Sequence, residues 1–140
     1  MKSLRNSNDL ETLIEYKSSG VSWLGNIPKN WKLLPGRACY QEKKIPNTGL
    51  KVKTVLSLSY GQIVVKPVEK LHGLVPASFE TYQIVSPGDI IVRPTDLQND
   101  WVSLRFGLSH DCGIITSAYL CLKTSPLMTP EYGHLLLHTY

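Results

Sequence analysis

Nine cations fall between Lys29 and Lys70: Lys29, Lys32, Arg37, Lys43, Lys44, Lys51, Lys53, Lys66 and Lys70. Only Glu42 and Glu69 oppose them, so this segment carries +7 of charge. Residues 1–28 balance to zero and residues 71–140 carry −3, which recovers the net +4 of the chain. A concentrated block of cations is what phosphate neutralisation by counterion release requires, and it is equally compatible with a solvated lysine surface. Further on, Arg93, Asn99 and Arg105 flank a polar run that includes Thr95, Asp96, Gln98 and Asp100. Arginine and asparagine present paired donors and acceptors to base edges, whereas lysine suits phosphate. The residues with the right chemistry for a nucleic-acid surface are therefore Lys43, Lys44, Lys51, Lys53, Lys66, Arg93, Asn99 and Arg105. The competing role for the arginines is to pair with Asp96 or Asp100 and hold the loop.

Catalytic constellations are absent by type and spacing. No Asn/Asp-Pro-Pro-aromatic loop and no glycine-rich cofactor loop occurs, as an amino-methyltransferase would need. Gly107-Leu108-Ser109-His110-Asp111 lacks the spacing of a nucleophile elbow. Glu42-Lys43-Lys44 supplies the acid-x-Lys of a metal-dependent nuclease, but no Pro-Asp precedes it. His134 and His138 stand four apart, enough for two metal ligands, with no third suggested, and read as one face of a helix. Cys39, Cys112 and Cys121 are odd in number and lack Cys-x-x-Cys spacing, so three reduced, mostly buried thiols are expected rather than a disulfide framework or a zinc site.

At 140 residues there is room for one modest core. No apolar run approaches the roughly 20 residues that span a bilayer, and the N-terminus lacks the apolar stretch of a secretory signal. A cytoplasmic protein is expected.

The elements that must position these residues are mostly strands. Asn8 and Glu11 form a capping box for a short helix whose face holds Leu10, Leu13, Ile14 and the stem of Lys17. Trp31–Leu34 reads as a brief strand or a helical entry cut by Pro35-Gly36, and residues 37–44 stay open, with a helical turn favoured. Val52–Leu58, the Tyr60-Gly61 turn and Ile63–Val65 predict a hairpin stopped by Pro67. Pro76–Thr81 reads as one helical turn, Ser86-Pro87-Gly88-Asp89 as a chain reversal, and Ile90–Val92 as a buried strand that emits Arg93. Trp101–Phe106 alternates like a half-buried strand, and Ile114–Leu122 reads as one long central strand. Thr129-Pro130-Glu131 opens a final helix. The expected class is α+β: a small, twisted, mostly antiparallel sheet with short flanking helices.

Ser19-Gly20-Val21-Ser22-Trp23-Leu24-Gly25-Asn26-Ile27-Pro28-Lys29-Asn30-Trp31 predicts a stiff, non-helical strap that tucks two tryptophans against the rest. This run resembles the opening of specificity subunits of type I restriction-modification systems. Pro87–Ile91, then Asp96-Leu97-Gln98-Asn99-Asp100-Trp101 with Leu104-Arg105, then Gly113–Leu120, then Pro130-Glu131-Tyr132 are similar to the body of their target recognition domains. The ordered set covers about residues 18–140.

The resemblance implies a mixed α/β domain that reads one half of a split site in double-stranded DNA, without catalysis of its own. It implies modification (methyltransferase) subunits and, through the complex, a restriction subunit as partners. Methyl donor, ATP and magnesium belong to those partners, and neither a cofactor nor a membrane is expected for this chain. An N-terminal helical segment over 1–17 and a recognition domain over 18–140 follow. One strap is present where a full subunit has two, and the glycine-rich segment, Pro-x-x-Pro stretch and spacer helix are missing, so the domain is expected to be a truncated first one. Base-contacting residues vary with target and carry no motif. The alternative is a small DNA-acting enzyme, nuclease or methyltransferase-like.

Overall fold

The computed structural model describes residues 14–71, 76–99 and 104–139. The chain divides into two compact units after Pro35. The first unit thus includes the tryptophan strap.

In the first unit the strap is a β-hairpin. Strands β1 (Tyr16–Ser18) and β2 (Asn26–Pro28) pair antiparallel with Lys17 opposite Ile27. The connection closes on itself: the Ser19 amide donates to the Gly25 carbonyl at 3.0 Å, and the Leu24 and Gly25 amides share the Val21 carbonyl at 3.1 Å. Gly20 and Gly25 take the left-handed backbone expected of them, with φ of 74° and 67°. Ile27 is buried, but Trp23 is 67% exposed and Trp31 48% exposed. Neither tryptophan falls on a strand of this ribbon: Trp23 lies in the connection and Trp31 follows β2, and Ile27 is the buried position of the two strands. The helix expected from Asn8 falls largely on residues 1–13, outside the described residues; Tyr16 and Lys17, its expected end before Ser18, sit on β1.

The second unit is mixed α+β with antiparallel strand pairs and few helices. A short helix α1 (Gly36–Cys39) leads directly into β3 (Tyr40–Glu42), so the open stretch 37–44 is part helix, part strand. The remaining elements are β4 (Leu56–Ser59), β5 (Gln62–Val65), β6 (Gln83–Val85), β7 (Ile90–Val92), β8 (Phe106–Leu108), β9 (Gly113–Ile115), β10 (Leu120–Thr124) and α2 (Pro130–Leu137). Short 3-10 turns cover Val68–Leu71 and Pro76–Thr81.

Two ladders form the core. One has the order β3-β10-β7-β8. The other joins β6–β9 to β4–β5 through a bridge between Val55 and Ile114, with residues 45–47 running along β6. Leu56, Val85 and Ile115 from the second ladder meet Ile91 and Cys121 from the first. At Gly107 a β-carbon would lie 2.6 Å from Leu58 and 2.9 Å from Ile63, so glycine there lets β8 approach the β4–β5 hairpin. That hairpin turns on Tyr60 and Gly61, both with positive φ (48° and 75°), the pattern of a two-residue type I′ turn.

The long apolar run is not one strand. It breaks at Thr116–Tyr119 into β9 and β10, which belong to different ladders. The break is held by the buried Gln83 side chain, whose amide donates to the carbonyls of Thr116 (3.1 Å) and Tyr119 (2.6 Å). β8 begins only at Phe106; of the alternating run expected as a strand, residues 101–103 lie outside the described residues. The last helix starts as expected: Thr129 Oγ1 accepts the Tyr132 amide at 3.2 Å and Pro130 occupies the first turn.

Candidate nucleic-acid interface

Strand register decides the fate of the first lysine. Glu42 pairs with Leu122 on β10, which sets Lys43 opposite Cys121, and the Lys43 amide donates to the Cys121 carbonyl at 2.8 Å. Cys121 in turn pairs with Ile91, so Lys43 shares the core-facing side of the sheet with two core residues. Asp89, two residues before Ile91, points to the same side. The two form a buried ion pair, with side chains 16% and 6% exposed. Asp89 also accepts the Ser86 amide at 2.8 Å, and the Lys43 ammonium donates to Ser86 Oγ at 3.0 Å. Burial, reinforced by the negative charge of Asp89 and opposed by Lys43, pushes the Cys121 thiol up to about 12. Lys43 is therefore a half-buried ion-pair partner of Asp89 on the inner side of the sheet rather than a freely displayed surface cation. Glu42 lies on the opposite face from Asp89, so the acid-x-Lys run and this aspartate do not converge.

The other lysines stand outside. Lys44, Lys51 and Lys53 are exposed and Lys66 is half-buried. What fixes the segment carrying them is Asn47, fully buried. Its Nδ2 donates to the carbonyls of Val52 (2.8 Å) and Phe79 (3.2 Å), and its Oδ1 accepts the Val52 amide at 3.0 Å. Val52 lies between Lys51 and Lys53, so one buried amide sets the path of both. The Gly49 amide adds a bond to Glu80 Oε1 at 2.9 Å. Lys66 joins them from the neighbouring strand end, where its amide donates to the Val55 carbonyl at 2.8 Å. Lys51, Lys53 and Lys66 thus gather at the open end of the β4–β5 hairpin.

Arg93, Asn99 and Arg105 meet elsewhere, around Asp96. The Arg93 amide donates to the Arg105 carbonyl at 2.9 Å, extending the β7–β8 pairing. The Arg105 guanidinium donates to the carbonyls of Thr95 (2.6 Å) and Asp96 (3.1 Å). Arg93 pairs with the Asp96 carboxylate at 3.5 Å and Asn99 Nδ2 donates to it at 3.1 Å. These contacts are those of the loop-holding role for the arginines. Gly61, at the hairpin tip, lies close enough to Leu104 that a β-carbon there would sit 2.8 Å from it. The arginine cluster therefore adjoins the tip of the hairpin and the lysine group its other end, with four residues of strand, about 13 Å, between.

Sequence reasoning missed Asn47 and Asp89, whose polar types gave no hint of burial. It also passed over Lys123, which stands opposite Gln41 in the β3–β10 pairing and, with Arg37, lines an open concavity beside Tyr40 and Ser125. Of the three thiols only Cys121 is buried; Cys39 is half-buried and Cys112 exposed, and all are free. Among the described residues no helix is long and apolar enough to cross a membrane. Compared with protein-family models, curated proteins and solved structures, the chain matches none.

Proposed function

We propose that this chain is a non-catalytic, sequence-specific DNA-recognition domain that reads one half-site for a type I restriction-modification complex, with methylation and cleavage carried out by partner subunits in the cytoplasm. The ordered set of sequence motifs supports the family. The observation that carries the DNA-binding part is the display of Lys51 and Lys53 on backbone that a buried asparagine holds in place, with exposed Lys44 just before it and half-buried Lys66 at the neighbouring strand end. Fixed backbone matters because a cation already in position loses less entropy on meeting a phosphate. In this reading the lysines take phosphates, and the loop Thr95–Asn99, rather than the arginines that hold it, is offered to base edges.

The test is a fluorescence-anisotropy titration of duplex DNA at several salt concentrations. Four phosphate contacts give a slope of log affinity against log salt of about −3.6. The triple variant K51Q/K53Q/K66Q flattens that slope by about 2.7. A slope near zero in the parent chain, or an unchanged slope in the triple variant, overturns the reading.

A further inference from the structure

The tip of the β4–β5 hairpin holds an aromatic side chain that neither packing nor backbone preference explains. Ser59 pairs with Gln62, so Tyr60 and Gly61 are the whole turn, and both have positive φ (48° and 75°). The first place of such a turn suits Asn, Asp or Gly, which take left-handed backbone at little cost; a bulky side chain there is strained. Leu50 also has positive φ (53°), but it is half-buried, and burial offsets its strain. Tyr60 is 88% exposed, more than any other large apolar or aromatic residue among the described ones. Its strain therefore returns no packing, and strain kept without packing marks positions held for function.

The turn is also fixed in place. Leu58 and Ile63 close over Gly107 of β8, where a β-carbon would meet them at 2.6 and 2.9 Å. Gly61 lies against Leu104, which precedes Arg105, and Arg105 holds the carbonyls of Thr95 and Asp96. Tyr60 thus stands on rigid backbone next to the loop that the arginines brace. A ring already in position loses little entropy on meeting a ligand. The partner that suits it best is another flat π-face, and every nucleobase has one.

We propose, on the strength of the DNA-recognition reading, that Tyr60 is a base-stacking residue. Its ring caps a nucleobase beside the segment that the loop Thr95–Asn99 meets. Base faces inside a duplex are covered by their neighbours, so the ring reaches one only where a step opens, as wedge side chains do elsewhere. Opening is easiest at pyrimidine–purine steps, so the contact favours sites with TA or CA at that place. The ring makes the contact, and the hydroxyl is dispensable.

The experiment measures binding of the full chain, by fluorescence anisotropy, to two duplexes that share one strand. One is fully paired and the other is opened by a central bubble of unpaired thymines. The bubble exposes base faces beforehand, so the parent chain binds it more tightly. Tyr60→Asn removes that preference and weakens bubble binding by about 5- to 150-fold, the worth of one stacked base. Tyr60→Phe binds like the parent. Tyr60→Asn melts at or above the parental temperature, because asparagine suits this turn, so the lost affinity reads as a lost contact. Equal binding of the two duplexes by the parent, or a preference that survives in Tyr60→Asn, overturns the proposal and leaves the DNA-recognition reading standing. So does a loss in Tyr60→Phe equal to that in Tyr60→Asn, which would put the hydroxyl on a phosphate. A lower melting temperature in Tyr60→Asn would make the ring structural and overturns it as well. Binding of neither duplex overturns both readings.

Discussion

Lys43 and Asp89 form an ion pair on the inner face of a β-sheet, reached from strands that are not neighbours, with β10 between them. Removing one partner from such a pair strands the other charge in the core, and the cost is about 3–5 kcal/mol. K43M is therefore expected to lower unfolding free energy by that amount in urea titrations. Adding D89N to it restores much of the loss, because the amide oxygen still accepts the Ser86 amide without a buried charge. A mild effect of K43M alone, or no recovery in the double variant, contradicts the assignment of Lys43 to the core.

Asn47 makes three side-chain hydrogen bonds and has no exposed surface. Asn47→Ala leaves backbone groups of Val52 and Phe79 without these partners, at a cost of about 2–4 kcal/mol. Amide hydrogen exchange at Val52 should accelerate first, before global unfolding. If Val52 keeps its parental protection, the basic segment is held by something other than Asn47.

Exposure sets the expectation for the tryptophans. Full truncation of a buried tryptophan costs about 3–5 kcal/mol, but Trp23 is two-thirds exposed. Trp23→Ala is expected to cost less than about 1 kcal/mol, as surface substitutions do. Thermal melts of Trp23→Ala decide between the two magnitudes.

The Cys121 thiol gives a pH dependence of definite sign. Its pKa rises from 9.0 to about 12, through burial first and the Asp89 carboxylate second. The folded chain keeps this proton where the unfolded chain loses it, so the group contributes its full stability below pH 9 and loses it progressively as pH climbs toward 12. Cys121→Ala should flatten the alkaline fall in unfolding free energy. At pH 8 a thiol reagent should label the exposed Cys112 promptly and Cys121 only as fast as the chain opens. Prompt labelling of Cys121 would contradict its burial.

Local signals were legible and long-range ones were not. The Thr129-Pro130 cap, the Tyr60-Gly61 turn, the buried Ile90–Val92 strand and the glycine-turned strap are each dictated within a few residues, and each appears. The splitting of Ile114–Leu122 is not local: the run has the same periodicity as one strand or two, and only Gln83, thirty-three residues upstream of Thr116, breaks it. Lys43 was misassigned for a related reason. Charge type argues for the surface, and register against β10, invisible in one-dimensional sequence, puts it in the core. At the candidate site the exposed lysines follow from composition alone, whereas the asparagine that organises them looks like any loop residue.

Arg105 grips its loop by the carbonyls of Thr95 and Asp96. A carbonyl is common to every amino acid, so the brace is indifferent to which side chains the loop carries. Positions 96 and 99 are constrained: the Asp96 carboxylate takes Arg93 and Asn99, and the Asp96 backbone is left-handed (φ 64°). At Thr95, Leu97 and Gln98 the lettering is open to exchange while the page stays bound, which lets a lineage rewrite what this surface presents without refolding what presents it.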